Sequence, residues 1–486
     1  MSAKALDAIW TSVVEGRAKN LRTRQNHLRA LFDFYTTHGD EIIRAIQTDG
    51  EISRSEAQCV YASLLTDLRT HYDALSLKRE LDREYSVHNG KSLQSRMVAT
   101  PAVYILPDPF LLLYNVLITV HAAIEAGSCV VIELENTVQA SRHWVIKAVK
   151  EALDNKVFTV ITSRADSTFL AECTVVDQTG QSSFAAGASR LEPLSSDVAE
   201  MVVGIVDRTA DVSLAAKELM STRLFFASKS RYATDIILVN EFVLDKFIQA
   251  ATETVDAVAA VVGQAAKDRL GMKQDAPSNQ ELEGSHVQIV LDNEIAKIAL
   301  VTSRDSKLLK SKGSGRTIIL HSFTSLDDVL DLLNFSNSTY SAIYLFAALS
   351  EAKYLSQYIQ SRATFVNHVP AGLLAGPVAP KRYATRVDVR YAREMFEYPS
   401  PQIVGNEKSR KASSLIKLCK AGKPPRVLAT SLSPLKPTGQ PPAGAWDFFG
   451  VGVVVGATVY LLPIVVGSLA LTITGTYYTT RWLLRA

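Results

Sequence analysis

The side chains able to do chemistry in this sequence are few and far apart. Four cysteines, Cys59, Cys129, Cys173 and Cys419, form no C-x-x-C pair. That spacing argues against a disulfide framework or a zinc site, suits a reducing compartment, and leads us to expect no metal. The nine histidines are scattered, and no Gly-x-Ser-x-Gly elbow is present, so a hydrolase triad has nothing to start from. The Gly- and Lys-rich run S-K-G-S-G-R-T, which carries Lys312, has the composition of a weak phosphate-binding loop; a flexible surface loop is the commoner meaning of such a run. Charge adds little: a net +3 over 486 residues is too small to imply nucleic acid.

The elements that would position these groups are easier to read. Apolar residues recur at helical spacing through about residue 90, in TRQNHLRALFDFYTTHGDEIIRAIQTD and SEAQCVYASLLTDLRTHYDAL. The charged N-terminal segment has no apolar signal-peptide core and reads as a first amphipathic helix. From Ala99 the pattern changes to short apolar runs separated by helical stretches: MVATPAVYILP, AGSCVVIE, KVFTVIT and ECTVVD. A second set follows from Met201: VVGIVD, YATDIILV, HVQIVLD, RTIILHSF, SAIYLF and ATFVNHV. Both are the signature of parallel α/β sheets. FEYPSPQIV closes the body.

Beyond it lies a different kind of sequence. Residues 405–446 are rich in Lys, Pro and Gly, and no charged residue occurs from Phe448 to Thr480. That apolar stretch exceeds the roughly 20 residues that cross a bilayer. Trp446 precedes it, and Tyr477, Tyr478 and Trp482 close it, where interfacial aromatics belong. We expect a transmembrane anchor that contacts the lipid bilayer through residues 448–475. Pro463 leaves a re-entrant hairpin of two arms as an alternative to one span. The basic linker favours the cytosolic side, giving a tail-anchored protein with a cytosolic body. Cys419 is a candidate for palmitoylation, with a plain solvated thiol as the alternative.

The helix–turn–strand A-I-E-A-G-S-C-V-V-I-E-L-E-N, Ala123 to Asn136, resembles the aldehyde dehydrogenase superfamily. The resemblance extends over about residues 20 to 404. It is strongest at Thr119–Ile132, Val206–Phe247, Thr317–Phe346 and Ala392–Val404, and the apolar tail is similar to that of the fatty aldehyde dehydrogenase branch. It implies an α/β fold with a Rossmann-type cofactor domain, a second α/β catalytic-type domain and a C-terminal transmembrane helix. The expected divisions are 1–195 for the N-terminal helices and cofactor-type domain, 196–365 for the catalytic-type domain, and 366–404 for a return and oligomerisation segment. The linker (405–446) and the anchor (447–475) follow. A helix between Val262 and His286 looks shorter than in the family.

The resemblance also says where the family's chemistry would lie, and this sequence departs from it there. Glu133 stands where the family has a ribose-binding lysine. In FFASKSRYATDIILVNEFV the position of the family's nucleophilic cysteine is Arg231, and a guanidinium, always protonated, cannot attack a carbonyl. The oxyanion asparagine aligns with Phe110 in PDPFLLLYN; Asn115 lies five residues on. The phosphate-facing turn keeps Thr179 and Gly180 in VVDQTGQSS but puts Asp177, which reads as a helix N-cap, at its first glycine. The double glycine beside the general base is missing from LEPLSSDVAEMVV, which leaves Asp197 and Glu200 as weak candidates that a charged surface loop would also explain. Lys312 stands near the glutamate that holds the nicotinamide ribose, a second reversal of charge.

These departures together lead us to expect a catalytically degenerate, membrane-anchored homologue acting as a scaffold or regulatory partner, paired as a homodimer or with an active relative. The alternative is an NAD(P)-dependent oxidoreductase for long-chain aldehydes with a displaced nucleophile. Any cofactor would be NAD or NADP, and an unrelated enzyme on the same scaffold is a third reading.

Overall fold

A computed structural model describes residues 2–180, 192–270, 286–293, 295–313, 315–334, 339–407, 431–436, 439 and 448–484. The chain divides into two units, 1–404 and 405–486.

Five helices open the first unit: α1 (Ser2–Glu15), α2 (Leu21–Thr37), α3 (Gly39–Gly50), α4 (Arg54–Ala74) and α5 (Leu77–Glu84). Local chemistry sets their ends. Asn20 caps α2 by accepting from Arg22 N and Thr23 N, and Ser53 and Glu56 form a reciprocal capping box on α4.

A five-stranded sheet follows, in the order β4-β3-β2-β5-β6. Its strands are β2 (Ala102–Leu106), β3 (Cys129–Glu133), β4 (Phe158–Ile161), β5 (Cys173–Asp177) and β6 (Leu194–Ser195), all parallel. Both faces are covered, so β2 and β5 are buried at every position. Helix α6 (Leu112–Ala126), between β2 and β3, is buried on all sides. It ends at Gly127, whose φ of +93° closes the helix and whose missing Cβ would lie 3.2 Å from the Ala18 carbonyl.

The second sheet has seven strands in the order β13-β12-β7-β8-β11-β10-β9. They are β7 (Val202–Val206), β8 (Ile236–Asn240), β9 (Val287–Asp292), β10 (Lys297–Val301), β11 (Thr317–Phe323), β12 (Ala342–Phe346) and β13 (Thr364–Val366). Only β9 runs antiparallel to its neighbour. Helices α7 (Val212–Leu224) and α8 (Leu244–Leu270) belong to this part. A two-stranded ribbon joins β1 (Met97–Ala99) to β14 (Glu397–Pro399). The sequence patterns marked most of these strands; β10, a half-buried K-I-A-L-V, and the two-residue β6 were not among them. Part of the segment between Val262 and His286, where a shortened helix was expected, lies outside the described residues.

In the second unit one helix, Phe448–Leu483, is 36 residues long and contains Pro463. It continues through the proline without a break, so the hairpin alternative is not the conformation adopted. It is long and apolar enough to cross a membrane. Cys419, Trp446 and most of the basic linker lie outside the described residues.

Candidate functional site

In open α/β sheets, ligands bind beyond the carboxyl ends of the parallel strands. Here β2, β3 and β5 end at Leu106, Glu133 and Asp177, and a cavity of about 480 Å³ opens beyond them. Glu133, Thr179 and Arg231, far apart in sequence, all line it, together with Arg164, Pro107 and Leu112.

Arg231 is the best-defined group in this cavity. Its Nε donates to Asp108 Oδ2 at 2.6 Å. Asp108 is 1% exposed, whereas the Arg231 side chain is 32% exposed. The other oxygen of Asp108 accepts from Phe110 N at 3.0 Å, and Asp108 N donates to the Gln178 side chain at 3.1 Å. The guanidinium is therefore held from below by a buried carboxylate that is itself fixed. The backbone leading to it is strained. Phe226, Ala227 and Ser228 are three successive non-glycine residues with φ of 55°, 51° and 57°, a conformation that costs about 1–2 kcal/mol per residue. Side chains hold it in place: Glu56 Oε1 accepts from Phe226 N at 2.5 Å, Ser228 Oγ donates to Arg223 O at 2.5 Å, and Ser230 Oγ donates to Leu374 O at 2.7 Å.

Glu133 is also engaged. Its carboxylate accepts from the Tyr104 hydroxyl and from Arg164 Nε at 3.4 Å. Burial, reinforced by that carboxylate, pushes the Tyr104 hydroxyl well above its usual range, so it stays protonated as the donor. Asp177 is not a helix N-cap among the described residues. Its Oδ1 accepts from Thr179 N at 2.9 Å and Thr179 Oγ1 at 2.7 Å, a local Asx turn that ends β5. Gly180 has a packing reason to be glycine, since a Cβ would lie 2.8 Å from Val198 Cγ2.

The expected oxyanion region is a buried polar knot in which Asn115 Oδ1 has no hydrogen-bond partner among the described residues. Asn115 Nδ2 donates to the carbonyls of Asp108 at 3.2 Å and Phe110 at 2.6 Å, and Gln178 Nε2 donates to Asn115 O and Thr119 Oγ1. Phe110 packs against the apolar core.

Lys312, Asp197 and Glu200 do not line this cavity. Lys312 is no flexible-loop cation: its Nζ donates to Glu200 O at 2.7 Å and lies 3.4 Å from Asp235 Oδ2. Asp235 is fully buried, paired to Arg223 at 2.7 Å, and accepts from Gly313 N and Val202 N. Burial lowers the Lys312 pKa, with Asp235 opposing. Glu200 pairs with Arg362 through both carboxylate oxygens and Asp197 with Lys381 at 2.9 Å; both line a separate hollow of about 380 Å³. The sequence had suggested a loose charged loop, and the structure instead shows these charges paired off in the packing of the second sheet.

The thiols are no closer to the cavity. Cys129 and Cys173 open β3 and β5, at the ends opposite the cavity, roughly 13 Å away at about 3.3 Å per residue. Burial pushes both thiols up to about 12. Cys59 is exposed on α4. Two features of the site escaped the sequence reading: Asp108 as the partner of Arg231, and the left-handed turn ahead of it. Pro107-Asp108-Pro109 was visible, but nothing local shows that it will meet a residue 123 positions away.

The fold is shared with many solved structures. Staphylococcus aureus AldH in its substrate-bound state superposes with a TM-score of 0.64 at 16% identity, covering 84% of this chain and 95% of that one. Succinic semialdehyde dehydrogenase from Streptococcus pyogenes, in complex with NADP+, gives 0.64 at 14% identity, covering 83% and 95%. Lactaldehyde dehydrogenase from Escherichia coli gives 0.61 at 14% identity, covering 82% and 90%. A search of curated proteins gives no match. The model of the aldehyde dehydrogenase family matches residues 3–298, more than half of the sequence, and the chain therefore belongs to the aldehyde dehydrogenase family.

Proposed function

We propose that this chain is a membrane-tethered member of the family that has lost the oxidation chemistry and works as a scaffold or regulatory partner. The observation that carries the reading is Arg231, locked onto buried Asp108 in the cavity at the strand ends. Oxidation of an aldehyde through a covalent intermediate needs a nucleophile there. A guanidinium has no lone pair to offer at neutral pH, and the described thiols of the sheet are buried, protonated and at its far edge.

The residues of the same cavity weigh against a nicotinamide dinucleotide: a ribose at the end of β3 meets Glu133 in place of the family's lysine, with its Oε2 already committed to Tyr104 and Arg164. The apolar helix Phe448–Leu483 supports tethering to a bilayer, with the body on the cytosolic side. Pairing with a second copy or with an active relative is the form of partnership we propose for the ribbon segment after residue 366.

The test is calorimetric titration of the full chain in lipid nanodiscs with NAD and NADP, beside an active family member. No heat of binding at millimolar cofactor is expected. Micromolar binding would mean that Glu133 and Lys312 are tolerated by the cofactor, and reduction of NAD by a long-chain aldehyde would then establish the oxidoreductase alternative instead.

A further inference from the structure

We propose that the cavity around Arg231 binds a monocarboxylate with an apolar body, so that the chain senses a carboxylic acid. The inference rests on the proposed loss of oxidation chemistry, since it gives the same cavity a ligand in place of a reaction.

A guanidinium has five N–H donors arranged as a planar fork. Asp108 takes the Nε donor of Arg231. Among the described residues no hydrogen bond is made by the terminal nitrogens, and the side chain, one-third exposed, lines the cavity. The result is a charged fork fixed at its base and open at its tip, the arrangement that recognises a carboxylate through two parallel hydrogen bonds. The left-handed turn at Phe226–Ser228 gives a second reason to read function here, because strained backbone persists where the surroundings over-determine it. Glu56, Ser228 and Ser230 supply that over-determination, and they fix the strand of chain that carries Arg231.

Charge selects among anions. Two guanidiniums, Arg231 and Arg164, line the cavity with the carboxylates Glu133 and Glu135; Arg231 is paired to Asp108 and Arg164 is drawn to Glu133. A single negative charge spread over two oxygens matches the Arg231 fork; a phosphate dianion meets more repulsion from Glu133 and Glu135. Leu106, Pro109, Leu112 and Leu134 supply apolar wall beside the fork, which fits a hydrocarbon body better than a sugar. At about 480 Å³ the space is in the range of small-molecule sites.

The experiment uses the full chain in nanodiscs, titrated with hexanoate, with hexan-1-ol as the uncharged probe and inorganic phosphate as the competing anion. Saturable hexanoate binding is expected, at least tenfold tighter than hexanol or phosphate. The double substitution Arg231→Gln with Asp108→Asn removes both charges together, so no buried carboxylate is stranded, and should weaken hexanoate at least tenfold with the melting temperature little changed. Arg231→Lys, which keeps charge but loses the fork, should fall between the two. The proposal is overturned by the absence of saturable hexanoate binding to folded wild-type protein, by equal binding in the substituted proteins, or by hexanol or phosphate binding as tightly. If the double variant does not fold, equal hexanoate affinity in wild type and Arg231→Lys overturns it. NAD turnover in the same preparation would end the degenerate reading separately, while Arg231-dependent hexanoate binding would leave the site assignment standing.

Discussion

A guanidinium at position 231 changes what one cavity is able to do, because a group that stays protonated at neutral pH has no lone pair with which to attack. The same reasoning applies to the thiols. Burial pushes Cys129 and Cys173 up to about 12, and an attacking sulfur must be a thiolate. Cys59 is exposed on a helix surface. Brief treatment of the native chain with iodoacetamide near neutral pH should therefore modify Cys59 and leave Cys129 and Cys173 unmodified, read by peptide mass mapping. Rapid alkylation of either strand cysteine would show a reactive thiol in the sheet and revive the displaced-nucleophile alternative.

At the scale of elements, α2, α4 and α6 are joined by a buried polar chain. Tyr35 Oη lies 2.9 Å from His121 Nε2, His121 Nδ1 lies 2.8 Å from Asp67 Oδ2, and His71 Nδ1 lies 2.7 Å from Glu125 Oε2. Arg24 reaches the same region, donating to Glu125 O and pairing with Glu80. Burial opposes a charge on His71, but Asp67 and Glu125 overcome it and raise its pKa to about 9. A pKa raised above the unfolded value of about 6.5 stabilises the fold fully below that value, and the contribution fades as pH climbs through the folded one. Its size is about 3 kcal/mol. Burial lowers the pKa of His121, and the two histidines outweigh burial to lower that of Asp67; their contributions fade in the acid direction. Thermal melts of the full chain should therefore peak near neutrality and fall from about pH 7 to about pH 10. The alkaline fall should be shallower in His71→Gln; an unchanged slope would remove His71 from the account.

At the scale of the molecule, the chain carries, besides its folded body, a helix long and apolar enough to cross a membrane. Thirty-six residues give about 54 Å at 1.5 Å per residue, against roughly 30 Å of bilayer hydrocarbon. Its valine, leucine and tyrosine side chains are exposed along its length. Expressed in cells, the full chain should stay with membranes through an alkaline carbonate wash. Deletion of 448–483 should move it to the soluble fraction, scored by immunoblot. Recovery of the full chain in the soluble fraction would refute the anchor.

The sequence by itself determined the fold family and the apolar helix. Both are written locally: Cys129-Val130-Val131-Ile132, a β-branched apolar run after a glycine turn, has the pattern of a buried strand, and a run without charge from Phe448 to Thr480 has no other stable solvent than lipid or a protein core. Through the resemblance it also singled out Glu133, Thr179 and Arg231, and the fold lines one cavity with them. What each charge does was decided only in three dimensions. Lys312 looked like a loop cation and is tied to Asp235 and the Glu200 carbonyl. Asp177 looked like a helix cap and closes a turn on Thr179. Arg231 acquired Asp108 from a proline-flanked segment more than a hundred residues earlier. Periodicity is a local property, carried by a few neighbouring residues, whereas the meaning of a charge depends on the partner and the burial that the whole chain supplies.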